Sequence, residues 1–223
     1  FSGRRHQASA STGPALACGT PRTRRRVSEM ACGMEKSDVS GPAGTGKTML
    51  AVLAAIQAYQ RGECKKIVIT RPAVGVDDEE HGFLPGDINQ KMAPWTRPIF
   101  DVFGEYYSKR DITKYLEEGV IEISPLAYMR GRTFKNAFIV ADEMQNATPA
   151  QVKMLVTRIG EHSRILITGD LEQADRQARN NGLQDLATRL TQHSVEGIDL
   201  CCLDLKDVQR HPLIKPILEL YSL

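Results

Sequence analysis

Residues 40–51, SGPAGTGKTMLA, contain the spacing GxxxxGK(S/T). In this pattern the glycines let backbone amides turn inward around phosphate groups, the lysine neutralises the β and γ oxygens, and the final hydroxyl contacts Mg²⁺. A helix that begins at the lysine directs its positive end at the same anion. We therefore expect a magnesium-bound nucleotide to be held by Gly41, Pro42, Ala43, Gly44, Thr45, Gly46, Lys47 and Thr48.

An acidic pair, Asp142 and Glu143, ends the apolar run NAFIVADE at residues 136–143. At the carboxyl end of a strand, Asp142 would help to hold Mg²⁺, while Glu143 would orient and deprotonate the attacking water. Such a pair alone more often marks a helix N-terminus, and the phosphate-binding pattern reverses that preference. Lys47 and Glu143 are accordingly predicted as catalytic residues, and Thr48 and Asp142 as metal ligands.

The block TGDLEQ, residues 168–173, ends the next apolar run. Asp170 and Gln173 would then face the same edge, and Gln173, predicted as catalytic, could sense the γ-phosphate or the attacking water. A polar turn after a strand is the alternative interpretation. The combined blocks indicate hydrolysis with water as acceptor rather than a small-molecule kinase, which would need an acceptor pocket and a lid.

The elements that must position these residues follow from the apolar pattern. Continuous apolar runs predict strands covered on both faces, as in a parallel sheet between helices. The predicted strands are 65–70, 120–123, 136–143, 163–170 and 198–203. The predicted helices are 48–60, around 87–92, 98–107, 111–118, 149–158, 182–190 and 212–220, with prolines interrupting those between 87 and 118. This alternation predicts an α/β fold with a mostly parallel sheet and helices on both faces.

Charge is distributed unevenly along the chain. The net charge is +2, yet residues 1–28 carry six arginines and no Asp or Glu. This composition resembles an organelle transit peptide, and a solvated tail is an equal alternative. We predict a disordered or targeting-like segment at 1–36 and one nucleotide-binding domain at 37–223. The predicted compartment is the cytoplasm, or a plastid or mitochondrion if the segment is a transit peptide.

Other side chains carry weaker predictions. Apolar runs of only a few residues predict no membrane partner. The five cysteines form no CxxC pair, which predicts reduced thiols, with Cys201 and Cys202 buried. Trp95, Tyr106 and Tyr107 are expected to pack in the core rather than to form a stacking platform for nucleic acid.

Several ordered blocks between Gly41 and Tyr221 resemble the PhoH-like ATPase family. They are GPAGTGKTMLA, TRPAVGV, GFLPGDINQKMAPWTRPIFD, IEISPLAYMRGRTFKNAFIVADEMQN, TRIG, ITGDLEQAD and DVQRHPLI. The core of this family is similar to the first motor domain of superfamily 1 helicases. The resemblance therefore implies a RecA-like P-loop NTPase fold, ATP and Mg²⁺ as cofactors, ATP hydrolysis and, in some members, action on RNA.

The resemblance also implies roles for arginines. Arg71 and Pro72 look like the helicase segment that approaches nucleic acid or phosphate. Arg130, Arg132 and Arg210 are the candidates for an arginine that reaches the γ-phosphate, and Arg210 is the one assigned here as catalytic. In a ring of subunits, this arginine would come from a neighbour.

The segment before Gly41 departs from the pattern, because MEKSDVS stands where an apolar central strand is expected. A missing central strand would leave buried backbone groups unpaired, at roughly 1 to 3 kcal/mol for each group. Three explanations stay open: residues 36–40 occupy the slot despite their sequence, a short piece of sequence has been lost, or this copy has drifted towards inactivity. We favour the second, since the downstream catalytic positions are intact.

These observations lead to two functional hypotheses of different classes. The first is an ATPase coupled to RNA or single-stranded nucleic acid, which works as a homo-oligomeric ring such as a hexamer because the chain supplies only one motor domain. The second is a catalytically impaired nucleotide-binding scaffold subunit, which the poor strand before Gly41 would favour.

Overall fold

The computed structural model describes residues 36–40, 45–72, 88–171 and 181–203, with the backbone alone at 36–40 and 88–95. Its strands are β1 (Lys36–Ser40), β2 (Lys66–Thr70), β3 (Ile121–Ile123), β4 (Ala137–Ala141), β5 (Arg164–Gly169) and β6 (Ile198–Cys202). Within these parts of the chain they form one sheet in the order β3-β2-β4-β5-β1-β6, and every pairing is parallel. The predicted α/β fold with a parallel sheet is confirmed.

Helices cover both faces of this sheet. They are α1 (Lys47–Gln60), α2 (Ile88–Tyr106), α3 (Lys109–Glu117), α4 (Pro149–Val156) and α5 (Gly182–Gln192). Each face of the sheet has its own hydrophobic core. Alternate residues of the central strands contribute to one core or the other, because successive side chains of a strand point to opposite faces. Phe138 and Val140 of β4 pack with α1 and α2, whereas Ile139 packs with α4 and α5.

β1 is a strand that its own sequence, KSDVS, does not predict. Its backbone pairs with β5 on one side and β6 on the other, so that Lys36 lies opposite both Ile165 and Ile198. Two flanking strands satisfy the backbone N–H and C=O groups of a segment whatever its side chains. The first of the three explanations therefore describes this structure, and the favoured one, loss of a short piece, is not needed to complete the sheet.

The prediction of separate helices around 87–92 and 98–107 is wrong. One helix, α2, continues from Ile88 to Tyr106 through two prolines. A proline inside a helix costs about 3 kcal/mol. Burial offsets that cost, since Ile99, Val102 and Phe103 lie in the core between α2 and α1.

The aromatic and thiol predictions are confirmed only in part. Tyr107 packs against Phe103 and Tyr115, at ring-centroid distances of 6.4 and 5.3 Å. Cys201 is buried, but Cys202 is exposed, because neighbouring residues of β6 point to opposite faces. Burial raises the pKa of Cys64, which is also buried, to about 11, so this thiol stays protonated near neutral pH.

Several predictions fall outside the described residues. These are the N-terminal segment up to residue 35, the loop before residue 87, the helix at 212–220 and the side chain of Trp95. The boundary between residues 36 and 37 therefore stays a prediction. In the part of the chain that is described, every helix is too short or too polar to cross a bilayer.

Candidate functional site

Four neighbouring strands, β2, β4, β5 and β1, end side by side at one edge of the sheet. Arg71 follows β2, Asp142 follows β4, Asp170 follows β5, and the chain after β1 leads into α1. We call the carboxyl ends of these four strands, together with the residues that surround them, the carboxyl edge. The Asp142 amide donates to the Thr70 carbonyl oxygen at 3.0 Å, which extends the β2–β4 pairing to the acidic residue.

The second half of the predicted phosphate loop reaches this edge. Gly46 has a φ of 79°, in the left-handed region that glycine adopts without strain, and α1 begins at the next residue, Lys47. The N-cap residue, Gly46, has no side chain with which to cap α1, and a helix start of this kind is suited to an anion. Thr45 is buried. Residues 41–44 lie outside the described parts of the chain.

Thr48 and Asp142 are brought into direct contact although they are 94 positions apart. The Thr48 hydroxyl donates to Asp142 Oδ1 at 2.9 Å. Thr168, near the end of β5, also donates its hydroxyl to Asp142 Oδ1. The carboxylate is only 1% exposed, so these hydroxyls replace water around it. The sequence analysis missed Thr168, although it stands two positions before Asp170.

The Thr48 and Asp142 oxygens fit magnesium chemistry. Mg²⁺ prefers oxygen donors and usually combines one or two protein ligands with waters and phosphate oxygens. Within the described ranges, no cluster of three or more His, Cys, Asp or Glu side chains could hold a metal by itself. The pair therefore suits a magnesium ion that is bound jointly with a phosphate chain.

Arg71 contacts the same aspartate from the other side. Its Nε and Nη2 atoms donate to Asp142 Oδ2 at 2.9 and 2.6 Å. The Nη2 atom also lies 3.6 Å from Glu143 Oε1. The Arg71 side chain is 15% exposed, so this ion pair is largely removed from solvent. Arg71 thus contacts both residues of the acidic pair, Asp142 and Glu143.

Glu143 is oriented by a residue that the sequence analysis also missed. Glu143 has a φ of 57°, and its side chain is 42% exposed. The buried Gln145 donates to Glu143 Oε2 at 2.6 Å and accepts from the Asp170 amide at 3.1 Å. Gly169 makes room for Gln145, because a Cβ there would lie 2.8 Å from Gln145 Oε1. Gln145 therefore ties the end of β4 to the end of β5.

Lys47 points across the edge towards β5. Its Nζ lies 3.9 Å from Asp170 Oδ2, and the two side chains are 11% and 5% exposed. At this distance the contact is a loose ion pair. The structure therefore brings Lys47, Thr48, Asp142, Glu143 and Asp170 to one edge.

Other predicted site residues lie elsewhere. Arg132 donates to Glu122 and to Ser124, and its guanidinium lies 4.5 Å from the centre of the Phe134 ring. The Arg132 side chain is therefore held by these three residues, and none of them belongs to the acidic pair. Arg130 is exposed. The predicted catalytic residues Gln173 and Arg210 lie outside the described residues.

Comparisons with known proteins identify the family of the chain. A model of the PhoH-like protein family matches residues 21–222. The chain belongs to this family. PhoH-like proteins of Synechocystis sp. and Bacillus subtilis are 48% and 44% identical to it over 193 and 198 residues. These matches cover 85% and 87% of the chain but 58% and 61% of the relatives, so the chain spans about three-fifths of their length.

More distant PhoH-like relatives give the same result. Protein PhoH of Escherichia coli is 40% identical over 168 residues, which are 71% of this chain and 46% of that protein. Among solved structures, the Sulfolobus solfataricus SWI2/SNF2 ATPase core in complex with dsDNA matches 66% of this chain and 30% of its own, at 17% identity and a TM-score of 0.43. Family membership and the phosphate loop together make the chain a nucleotide-binding P-loop protein.

Proposed function

We propose that the chain binds ATP with Mg²⁺ at the carboxyl edge and hydrolyses it. The observation that carries this proposal is the 2.9 Å hydrogen bond from Thr48 to Asp142, which joins the phosphate loop to the acidic pair. If the acidic pair only marked the start of a helix and had no relation to the loop, this contact would not be required. Thr48 and Asp142 would hold the magnesium ion, which supplies positive charge to the phosphates when bound.

Each residue has a separate task in this reaction. Lys47 releases Asp170 and binds the β- and γ-phosphate oxygens. Glu143, exposed on one side and held by Gln145 on the other, orients a water molecule and accepts its proton. The water oxygen bonds to the γ-phosphorus, and the bond to the β–γ bridging oxygen breaks, which yields ADP and phosphate. Gln173 is proposed to sense the γ-phosphate from the segment after β5.

Phosphate release and a thermal shift with Mg-ATP test this function. We expect Lys47→Ala to reduce hydrolysis by about 100-fold or more, because the lysine stabilises charge on the transferring phosphoryl group. Lys135→Ala is the matched control, since Lys135 is 61% exposed and pairs with Glu161 at the surface. Equal activity in both variants, or a wild-type melting temperature that ATP does not change, would remove the proposal.

Coupling to single-stranded RNA is the finer part of this proposal. The Ser124 amide donates to the Ile69 carbonyl oxygen, so the chain after β3 begins beside the end of β2 and Arg71. Leu126 and Met129 anchor a short 3₁₀ helix there, while Tyr128 is 64% exposed and Arg130 is also exposed. An exposed ring and an exposed arginine two residues apart suit base stacking and phosphate contact.

RNA binding is tested with fluorescently labelled single-stranded RNA at several salt concentrations. We expect Tyr128→Ala to weaken binding by about tenfold, since stacking on one ring contributes about 1 to 3 kcal/mol per base. Val195→Ala is the control, because Val195 is 46% exposed but precedes β6 at the opposite edge. Binding that both variants retain would argue against Tyr128 as the stacking residue. A wild-type protein that does not bind RNA, or hydrolysis that RNA does not stimulate, would argue against nucleic-acid coupling.

Assembly into a homo-oligomeric ring, such as a hexamer, completes the proposal. The described residues form one nucleotide-binding sheet, and an arginine from a neighbouring subunit, with Arg210 as the candidate, would complete each site. Sedimentation with and without Mg-ATP measures the assembly. A strictly monomeric chain with full hydrolytic activity would contradict it. The hypothesis of an impaired scaffold subunit was based on the poor strand sequence before Gly41. It loses its main support, since β1 pairs with β5 and β6 at that position of the sheet.

A further inference from the structure

Two cations, Arg71 and the proposed magnesium ion, would compete for the single negative charge of Asp142. Its Oδ1 receives hydrogen bonds from Thr48 and Thr168, and its Oδ2 receives two from Arg71. A carboxylate that is 1% exposed requires a nearby cation, because an unpaired buried charge is costly. Arg71 is such a cation within the chain itself. A magnesium ion bound at the proposed site would be a second one.

We propose that Arg71 is an internal counter-ion that competes with Mg²⁺ for Asp142. The inference rests on the proposed function, since it assigns the partner that the magnesium ion must displace. Two cations beside one carboxylate repel each other, and this repulsion is strong where solvent is excluded. Mg²⁺ alone therefore binds weakly. Mg²⁺ carried by ATP binds well, because the phosphates provide the additional negative charge.

The surroundings of Arg71 provide an alternative contact for the displaced guanidinium. Glu143 Oε1 already lies 3.6 Å from Arg71 Nη2, and the Glu143 side chain is 42% exposed. A small rotation of the guanidinium would exchange a buried partner for a more exposed one. The consequence is selectivity, because the site accepts the complex of metal and nucleotide in preference to the free metal.

Melting temperatures of wild-type and Arg71→Ala protein in EDTA, in MgCl₂ alone and in MgCl₂ with a non-hydrolysable ATP analogue test this proposal. In EDTA, we expect Arg71→Ala to melt about 4 to 10 °C below wild type, because Asp142 loses its cation. MgCl₂ alone should raise the melting temperature of the variant and leave wild type nearly unchanged. The variant should bind Mg²⁺ about tenfold more tightly in a direct titration.

Arg164→Ala is the matched control. Arg164 forms a 2.7 Å ion pair with Glu63 at the start of β5, at the edge of the sheet opposite the site. Its loss should lower the melting temperature equally in all three solutions. The same uniform loss for Arg71→Ala would overturn the proposal and make Arg71 a purely structural partner of Asp142.

Two further variants cover the case in which Arg71→Ala does not fold. Arg71→Lys keeps the charge and should restore resistance to free Mg²⁺. Adding Asp142→Asn to Arg71→Ala should recover most of the lost stability in EDTA, because both charges are then absent. No recovery would overturn the proposal. A wild-type protein that the nucleotide analogue does not stabilise would instead remove the proposed function, while the response to MgCl₂ alone still tests Arg71.

Discussion

Two arginine–carboxylate pairs lie beside the same sheet, one after the ends of β2 and β4 and the other between β3 and the segment before β4, and they differ in burial and in partners. In the first, Arg71 contacts Asp142, whose side chain is 1% exposed. In the second, Arg132 contacts Glu122, and these side chains are 40% and 25% exposed. The same two chemical groups therefore stand in different environments. The difference teaches that the position at the sheet edge, rather than the residue types, makes a pair part of a site.

The partners of the second pair explain its structural character. Lys66 also contacts Glu122, at 3.3 Å, and both cations lie over the Phe134 ring. Arg158 donates to the Arg132 carbonyl oxygen at 3.2 Å. Arg132 is thus fixed by several neighbours, and its pair joins β3 to the segment before β4. The first pair instead adjoins the phosphate loop through the hydrogen bond from Thr48, where we propose that a magnesium ion replaces one partner.

The largest difference between the two pairs should appear when the acid is removed. Asp142→Ala should abolish measurable hydrolysis and lower the free energy of unfolding by about 3 kcal/mol, because it leaves Arg71 without its buried partner. Urea unfolding and phosphate release measure both effects. Asp185→Ala, which removes a half-exposed surface pair with Arg189, is the control. Hydrolysis that survives in Asp142→Ala would contradict the assignment.

A smaller effect is expected from displacing Gln145 while the ion pairs stay intact. In Gly169→Ala, the new Cβ would lie 2.3 Å from Leu183 Cδ2 and 2.8 Å from Gln145 Oε1. We expect a loss of about 2 kcal/mol in stability and about tenfold in kcat, with little change in ATP affinity. Gly104→Ala is the control, since nothing lies within 4 Å of its added Cβ. An unchanged kcat would show that Gln145 does not orient Glu143.

The exposed pair should contribute less than either change. Arg132→Ala should lower the free energy of unfolding by about 1 kcal/mol, since solvent screens a pair of this exposure and the loss of packing on Phe134 adds to it. The affinity for ATP should not change. Isothermal titration with a non-hydrolysable analogue and urea unfolding would check this. A loss of ATP affinity would return Arg132 to the list of arginines that reach the phosphates.

The smallest effect concerns pH. Burial acts to raise the pKa of Glu122, but the hydrogen bond from Arg132 and the charge of Lys66 outweigh it, so the pKa lies below its usual value. A lowered folded-state pKa means that this carboxylate stabilises the fold above its unfolded pKa and loses that contribution as the pH falls through the folded pKa. Arg132→Ala should therefore weaken the dependence of unfolding on pH in the acidic range. An identical pH profile in both proteins would contradict this account.

The sequence was informative where burial alone decides the structure. The runs AFIVA of β4 and RILITG of β5 are apolar enough to predict covered strands, and their ends predict the position of Asp142 and Asp170. β1 could not be predicted this way, because its pairing with β5 and β6, rather than its side chains, makes it a strand. The single helix α2 was not predicted for a related reason. The stabilisation from its contacts in the core exceeds the cost of its prolines, and these contacts exist only in the folded chain.

The site divides in the same way. Motif spacing predicted Lys47, Thr48, Asp142 and Glu143, because those residues are fixed relative to local glycines and strand ends. Thr168 and Gln145 were missed, since their roles depend on contacts between β4 and β5 that only the fold creates. The resemblance drew attention to the position of Arg71, but its two hydrogen bonds to Asp142 Oδ2 are a property of the three-dimensional arrangement.

The central claim is that the acidic pair lies opposite the phosphate loop and uses water to cleave bound ATP. Glu143→Gln tests it most directly, because the amide keeps the size of the side chain but accepts no proton. We expect ATP hydrolysis to fall by about 100-fold or more while ATP remains bound and raises the melting temperature. Glu161→Gln, at a side chain that is 78% exposed, should behave like wild type. Hydrolysis at the wild-type rate in Glu143→Gln would contradict the claim.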